Sequence, residues 1–549
     1  MSDDEKDQPF RDMAGVLHLE LLARAPHGSR VGGGAVVKTR HRPVRSRLGR
    51  LRRPRGAAAE PDGRSGRAAP TSDRTVRTAR TIVVLGVTEV IGKLSMVLVV
   101  IGAARLLGVA DFGVFAYALA VGALATTVPL WGYDTIVVQR ASAAPERLRA
   151  LLAELLVMRT GLVVLVFAVI CGVLALSRPS DTETALAGLI VVAAVLLDTF
   201  TEAYRSAAAA RQRQNTIAVV HLMQRLLTAA WVLTALLLDT GLLGLALAYF
   251  AGTAVGPVAG MLLTRRQGTR ADWGAVSVGS LVRLNRGTWM IGLESVVAMA
   301  LFRLDTLFLG WLAGNRAVGI YAAPYRLLET AVFVCWVVSR AVFPLMASDP
   351  RPHRVRRHTE RGIGVLAAVF IPYMTVLLCR GHDVLLLLYG EQFADAGTDT
   401  LRWLAPAPLL FGIAYLLSDA LTAAGPTLRA LTGAVTALVV NVVLNLSLIP
   451  HYGGVAAAFT TSCSYAVAAV VLILLGPARI GRPRLTRTVL PAVVASGLAA
   501  GPLLAPWHLA PALLAAAVVY VSCWAALARR LDPEQIQVLR RMVRRRRSE

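Results

Sequence analysis

Thirteen ionisable side chains stand inside stretches otherwise built from Leu, Val, Ala, Ile and Phe. The basic ones are Lys93, Arg159, Arg225, Arg303, Arg326 and Arg340. The acidic ones are Glu89, Asp198, Glu202, Glu294, Asp305, Glu329 and Asp419. Two chemistries are open to such a set. A guanidinium keeps its charge at any working pH and presents a fork of donors that matches phosphate oxygens. A carboxylate in the same surroundings binds a coupling proton or cation, or neutralises a neighbouring arginine. The six basic residues are therefore the candidate binders of an anionic substrate. The seven acids are candidate coupling groups or ion-pair partners.

Helical spacing groups these residues. At about 100° per residue, Arg326, Glu329 and Arg340 fall within about 60° of one another, and Glu294 and Asp305 within about 20°. Glu89 and Lys93, Asp198 and Glu202, and the polar pair Asn441 and Asn445 are each four residues apart, hence on one face. Arg303 and Asp305 lie about 160° apart, so they point different ways, one toward a cavity and one toward a neighbouring helix.

The elements that carry them are set by composition. The chain has 549 residues, 56% hydrophobic and only 17% charged, whereas soluble domains hold about 25% charged residues. Apolar runs recur from Thr81 to Leu527, each long enough to cross roughly 30 Å of hydrocarbon as a helix. The expected fold is an all-α polytopic membrane protein. Its spans are read at 82–104, 112–134, 153–176, 183–204, 216–238, 241–264, 287–312, 317–346, 362–380, 399–423, 428–449, 453–475, 487–504 and 508–528, fourteen in all. A charge at the bilayer centre costs about 2.5–3.5 kcal/mol on insertion scales. The thirteen charges are therefore expected to face protein or water, not lipid.

Arginine orients the spans. With the N-terminus cytoplasmic, 21 arginines fall in cytoplasmic loops and four (Arg105, Arg178, Arg316 and Arg380) in external ones. This is the bias expected of a multi-pass protein of the cytoplasmic membrane with both termini inside. Residues 1–80 hold 18 Lys and Arg against 9 Asp and Glu, without apolar periodicity, and read as a disordered basic tail. Residues 531–549 read as a second one. Such tails suit anionic lipid better than nucleic acid in a chain of this kind, and no nucleic-acid partner is expected. The segment 380–398, containing DVLLLLYGEQFADAG, reads as an interfacial helix.

Two internal matches divide the spans. LLGVADFGVFAYA (106–118) aligns with LAGNRAVGIYAAP (312–324) at an offset of 206, and GLALAYF (244–250) with GVAAAFT (454–460) at 210. Two six-helix lobes follow, 81–266 and 267–476, with two further helices in 477–530. Repeated halves of this kind place a substrate site between them.

Other chemistries lack their residues. IGKLS (91–95) ends like a phosphate-binding loop, but Leu94 replaces the Ser or Thr and the segment is apolar helix. Nine histidines show no metal-ligand spacing, and Cys171, Cys335, Cys379, Cys463 and Cys523 read as small buried hydrophobes. No metal, no cofactor and no enzymatic activity are expected. A membrane-embedded polymerase would carry a long external loop, and none is read here.

The stretches ARLLGVADFGVFAYALA, RLDTLFLGWLAGNRAVGIYAAPYRL, LLLLYGEQFADAG and IPHYGGVAAAFTTSCSY together resemble the polysaccharide-transport, or Wzx-type, oligosaccharide flippases. That family belongs to the superfamily that also holds MATE exporters and MurJ-type lipid II flippases. The resemblance implies two six-helix lobes about a central cavity, alternating access, and an undecaprenyl-pyrophosphate-linked oligosaccharide as cargo for cell-surface or exopolysaccharide synthesis. It implies cationic cavity residues, with Arg303, Asp305 and Arg326 inside the matching stretch. A polymerase or glycosyltransferases of the same pathway are the implied protein partners. The alternatives are a MurJ-like lipid II flippase and a MATE-like cation-coupled drug exporter.

Overall fold

The computed structural model describes residues 71–177, 181–211, 214–425, 429–476, 480–481 and 485–531. Most of both basic tails lies outside them. The elements are α1 (Thr71–Ala125), α2 (Thr127–Leu130), α3 (Tyr133–Ala143), α4 (Leu148–Ser177), α5 (Thr182–Ala210), α6 (Gln214–Leu237), α7 (Gly241–Arg266) and α8 (Val278–Arg286). They continue with α9 (Trp289–Ser348), α10 (Pro352–Tyr389), α11 (Glu391–Leu404), α12 (Ala407–Ala423), α13 (Arg429–Leu475), α14 (Leu485–Leu504) and α15 (Leu509–Leu531). No strand occurs among the described residues.

Local chemistry sets several boundaries. Asp181 caps α5 by accepting from the N–H groups of Glu183 (3.0 Å) and Thr184 (3.2 Å). Ser277 and Ser280 form a reciprocal capping box at α8, and Pro352 opens α10 where its missing N–H costs nothing. The start of α1 at Thr71 corrects the expected tail of 1–80. No Gly or Pro separates Thr71 from Leu85, so nothing stops the helix from extending below the first apolar run.

Eleven helical elements among the described residues are long and apolar enough to cross a membrane, where the sequence suggests fourteen. The difference lies in three of them. The spans Thr88–Ala143, Ile291–Ser348 and Leu431–Leu475 hold 56, 58 and 45 residues. A straight helix of the second length would run about 87 Å, roughly three bilayer cores. Each contains one glycine that leaves helical geometry, namely Gly108 (φ 80°), Gly314 (φ 82°) and Gly453 (φ 53°). All three fall at or beside the boundaries expected between spans. A positive φ is open to glycine without strain, so the hydrogen-bonded run continues almost unbroken across a sharp change of direction.

The helices form two bundles. In the first, α5, α6 and α7 pack on one another and on α1. Gly252, Gly256 and Gly260 line one face of α7. A Cβ at Gly252 would come within 2.5 Å of the Thr228 backbone, and one at Gly256 within 2.2 Å of Gln224, so small residues set the spacing of this bundle. In the second, α9, α12 and α13 make the corresponding core, with α10 and α11 beside it and α14–α15 docked against α10.

The bundles meet chiefly through α1 against α9. At one end Gly113 and Gly319 lie at the crossing. A Cβ on Gly113 would sit 1.9 Å from the carbonyl oxygen of Asn315, and one on Gly319 would sit 2.0 Å from that of Val109. Asn315 follows Val109, and Gly319 follows Gly113, by the same offset of 206, so the contact is reciprocal about a pseudo-two-fold axis. Phe112 and Phe393 pack edge to face beside it at 5.6 Å. The Arg105 guanidinium donates to the carbonyls of Leu387 and Leu388. The expected interfacial segment is therefore only partly at the surface, because Leu385, Tyr389 and Phe393 are buried in the inter-bundle core while Leu387 is exposed. At the other end Trp131 packs on Gly292, Tyr133 donates to Asn285 (2.9 Å), and the Lys93 ammonium lies 3.7 Å over the Phe333 ring.

Candidate functional site

Between these two sets of contacts lies a cavity of about 310 Å³, walled by α1, α5, α6 and α7 on one side and α9 on the other. Its wall mixes apolar and aromatic side chains, Phe112, Phe115, Tyr249 and Tyr325 prominent among them, with polar and charged ones. Phe115 and Tyr249 belong to the first copies of the two sequence repeats, and their rings meet edge to face at 5.6 Å.

Five of the thirteen intramembrane charges reach this wall: Asp198, Arg225, Arg303, Arg326 and Glu329. All are ion-paired. Arg225 Nη2 lies 3.2 Å from Asp198 Oδ2, while Asp198 Oδ1 accepts from Gln224 Nε2 at 2.7 Å. Glu329 spans two partners, with Oε1 2.7 Å from Arg303 Nη2 and Oε2 2.6 Å from Arg326 Nη1. The pairs leave one positive charge in excess. Arg303 and Glu329 sit on the two sides of the Gly314 break, so the break in α9 brings them together.

The other eight lie elsewhere. Arg159 is fully buried in the first bundle, bonded to Asp134 (2.6 Å) and to the Thr199 carbonyl, and Asp134 also accepts from Ser206 at 2.8 Å. It holds α3, α4 and α5 together away from the cavity. Glu202 pairs with Arg205 at 2.7 Å. Lys93 and Glu89 lie 3.9 Å apart, half-exposed, below the cavity. Arg340 and Glu294 are exposed. Asp419 accepts from Ser339.

Asp305 turns away from Arg303 into the second bundle, where it is 1% exposed. Its carboxylate accepts from Tyr321 Oη (2.9 Å), Asn441 Nδ2 (3.1 Å) and Thr461 Oγ1, and Asn445 donates to Asn441 at 3.0 Å. Asn445 Oδ1 and the neighbouring Thr460 Oγ1 are buried without a hydrogen-bond partner. The cluster contains no basic residue among its bonded partners. It is a carboxylate held by neutral donors, with spare oxygen atoms nearby.

Sequence reasoning missed Asp134, Gln224, Tyr321 and Thr461. Asp134 falls where the second span was expected to end, and the WGYD stretch around it is where the chain breaks, with Trp131 and Gly132 in left-handed conformation. A glycine two residues before a carboxylate was the available signal. Gln224 carries no charge, so nothing in the sequence distinguishes it from any other polar residue beside Arg225.

Residues 78–348 match the profile of the polysaccharide biosynthesis protein family, and residues 291–447 that of the MatE family. The chain is thus similar to both families, and the two matches overlap within residues 291–348. A curated relative, the probable flippase AglR of Haloferax volcanii, is 28% identical over 186 residues, which is 33% of this chain and 39% of that protein. This chain therefore spans well under half of that relative's length. Among solved structures, the lipid II flippase MurJ in an inward closed conformation superposes with a TM-score of 0.67 at 14% identity, over 82% of this chain and 99% of that one. An inward-facing multidrug MATE transporter of the MOP superfamily superposes with a TM-score of 0.58 at 15% identity, over 73% and 98%. At these identities the structural likeness shows the fold and nothing finer.

Proposed function

We propose that this protein is a flippase that carries an undecaprenyl-pyrophosphate-linked oligosaccharide across the cytoplasmic membrane, by alternating access of the lobes 81–266 and 267–476. It is a transporter and not an enzyme, with both termini on the cytoplasmic side. The observation that carries the reading is the cavity shared by both bundles, in which Arg225, Arg303 and Arg326 stand among aromatic rings. Guanidiniums suit the pyrophosphate and aromatic faces suit sugar rings. About 310 Å³ sits at the low end of ligand-pocket volumes, so it accommodates a head group of diphosphate size, and a larger cargo requires the lobes to part. The Asp305 cluster is the candidate coupling site, where a cation or proton would meet the carboxylate.

Two other readings have support of their own. The MatE match over 291–447 favours a drug exporter, and lipid II would present a polyprenyl pyrophosphate to the same three arginines of the cavity. The discriminating experiment compares lipid-linked oligosaccharide pools in the producing cell with the wild-type gene, a deletion and Arg303→Ala. The flippase reading expects undecaprenyl-linked repeat units to accumulate on the cytoplasmic leaflet in both mutants at normal protein level. Normal glycan pools with raised sensitivity to cationic drugs would replace it with the exporter. Loss of cell-wall precursor export alone would replace it with the lipid II reading.

A further inference from the structure

Glu329 presents an unusual arrangement. A single carboxylate bridges two guanidiniums that come from opposite sides of the Gly314 break, one oxygen to each, at 2.7 and 2.6 Å. Arg326 is its neighbour by helical spacing, three residues away, but Arg303 is brought to it only by the tertiary fold. The three side chains line the same cavity. Arg303 Nε is shielded from solvent and has no acceptor, so the bridge leaves one donor of the fork unused. Two negative oxygens between two guanidiniums have the layout a phosphate group would adopt there. A purely structural ion pair would need only one arginine, and buried polar groups that stay unsatisfied call for an explanation.

We propose that Glu329 is an internal stand-in for the substrate's phosphate: it occupies Arg303 and Arg326 when the cavity is empty, an incoming lipid pyrophosphate displaces it, and its return favours release. The proposal rests on the flippase reading and extends it to how the site is kept from holding its cargo too tightly. An empty cavity with two unpaired guanidiniums is costly, since uncompensated charge in a low-dielectric site is strongly disfavoured. A carboxylate on the same helix supplies the compensation without leaving the molecule. A dianionic head group outcompetes it because it brings two negative charges and more oxygens to the two guanidinium forks.

The test uses the full-length protein in lipid nanodiscs. Farnesyl pyrophosphate is the probe and farnesol is the uncharged control. Glu329→Gln keeps the shape and removes the competing charge, and is expected to bind farnesyl pyrophosphate about tenfold more tightly, about 1.4 kcal/mol, with farnesol binding unmoved. Glu329→Asp keeps the charge on a side chain one carbon shorter, which cannot span both guanidiniums, and is expected to lie between. Arg303→Gln is expected to lose the pyrophosphate preference. If Glu329→Gln binds the pyrophosphate no more tightly while Arg303→Gln still abolishes the preference, the stand-in role is overturned and the flippase reading survives. If the wild type itself fails to prefer farnesyl pyrophosphate over farnesol, both fall. If Glu329→Gln does not fold, Glu329→Asp decides: tightening supports the role, and unchanged or weaker binding overturns it.

Discussion

The glycine crossing gives the sharpest mechanical prediction. Gly113→Ala adds one carbon at a point 1.9 Å from the Asn315 carbonyl oxygen and 2.8 Å from its carbon. Ordinary carbon–oxygen contact begins near 3.3 Å, so α1 and the second half of α9 must separate there by roughly 1.4 Å. Both contacting groups are backbone, so no side chain swings aside to absorb the strain. Overpacking of this kind costs about 1–3 kcal/mol, and it is paid only in the conformation that brings the two repeats together. In a protein that alternates between two arrangements, that shifts their ratio by about 5- to 150-fold. Gly319→Ala, opposite Val109, is expected to act alike, because the contact is reciprocal. The assay places Thr306→Cys, buried at the cavity wall, in a background lacking the five native cysteines. Labelling by a membrane-impermeant maleimide is followed separately from each face of the membrane. The expected result is faster labelling from the face nearest the crossing in both glycine mutants. Gly161→Ala in α4, where nothing lies within 4 Å, serves as the control and is expected to be neutral or slightly stabilising. Unchanged labelling from both faces in Gly113→Ala and Gly319→Ala, with an unchanged melting temperature, would refute the reasoning.

Two further outcomes follow from the polar clusters. Arg159→Leu leaves Asp134 facing the interior without its cation, and removal of one partner of a buried pair costs about 3–5 kcal/mol; protein level and melting temperature are expected to fall sharply, whereas Arg303→Ala leaves both near normal and acts on transport. Asp305→Asn keeps the hydrogen-bonded shape of its cluster but removes the charge, so the protein is expected to fold normally while transport in proteoliposomes loses its dependence on the driving ion gradient; retained dependence would remove Asp305 from the coupling role.

The comparison of sequence with structure has a physical pattern. Composition and run length were enough for the all-helical, multi-span class, because hydrocarbon admits little else. The repeat was legible as well, since Gly113 and Gly319 stand in matching strings, but their meeting was not. Span counting treated each glycine break as a loop, whereas Gly108, Gly314 and Gly453 bend elements that stay hydrogen-bonded on both sides. Helical angles correctly separate the directions of Arg303 and Asp305 because that relation is local. They had no means of finding that Glu329 joins Arg303 or that Asp134 joins Arg159, because those partners lie on different helical segments.

What the sequence by itself determined was the solvent and the inventory: helices, two related halves, and arginines and carboxylates costly enough in an apolar setting to require partners. The tertiary structure alone decided which partners they took. Five charges from both halves converge on one cavity, Arg159 is drawn into a bundle core, and Asp305 is held by neutral donors from α13 and from beyond the Gly314 break in α9. The reason is that helix periodicity fixes the face on which a residue stands, while the neighbour of that face depends on how glycine-lined backbones pack, and such contacts join different helical segments, from 25 residues apart for Arg159 and Asp134 to 156 for Asp305 and Thr461.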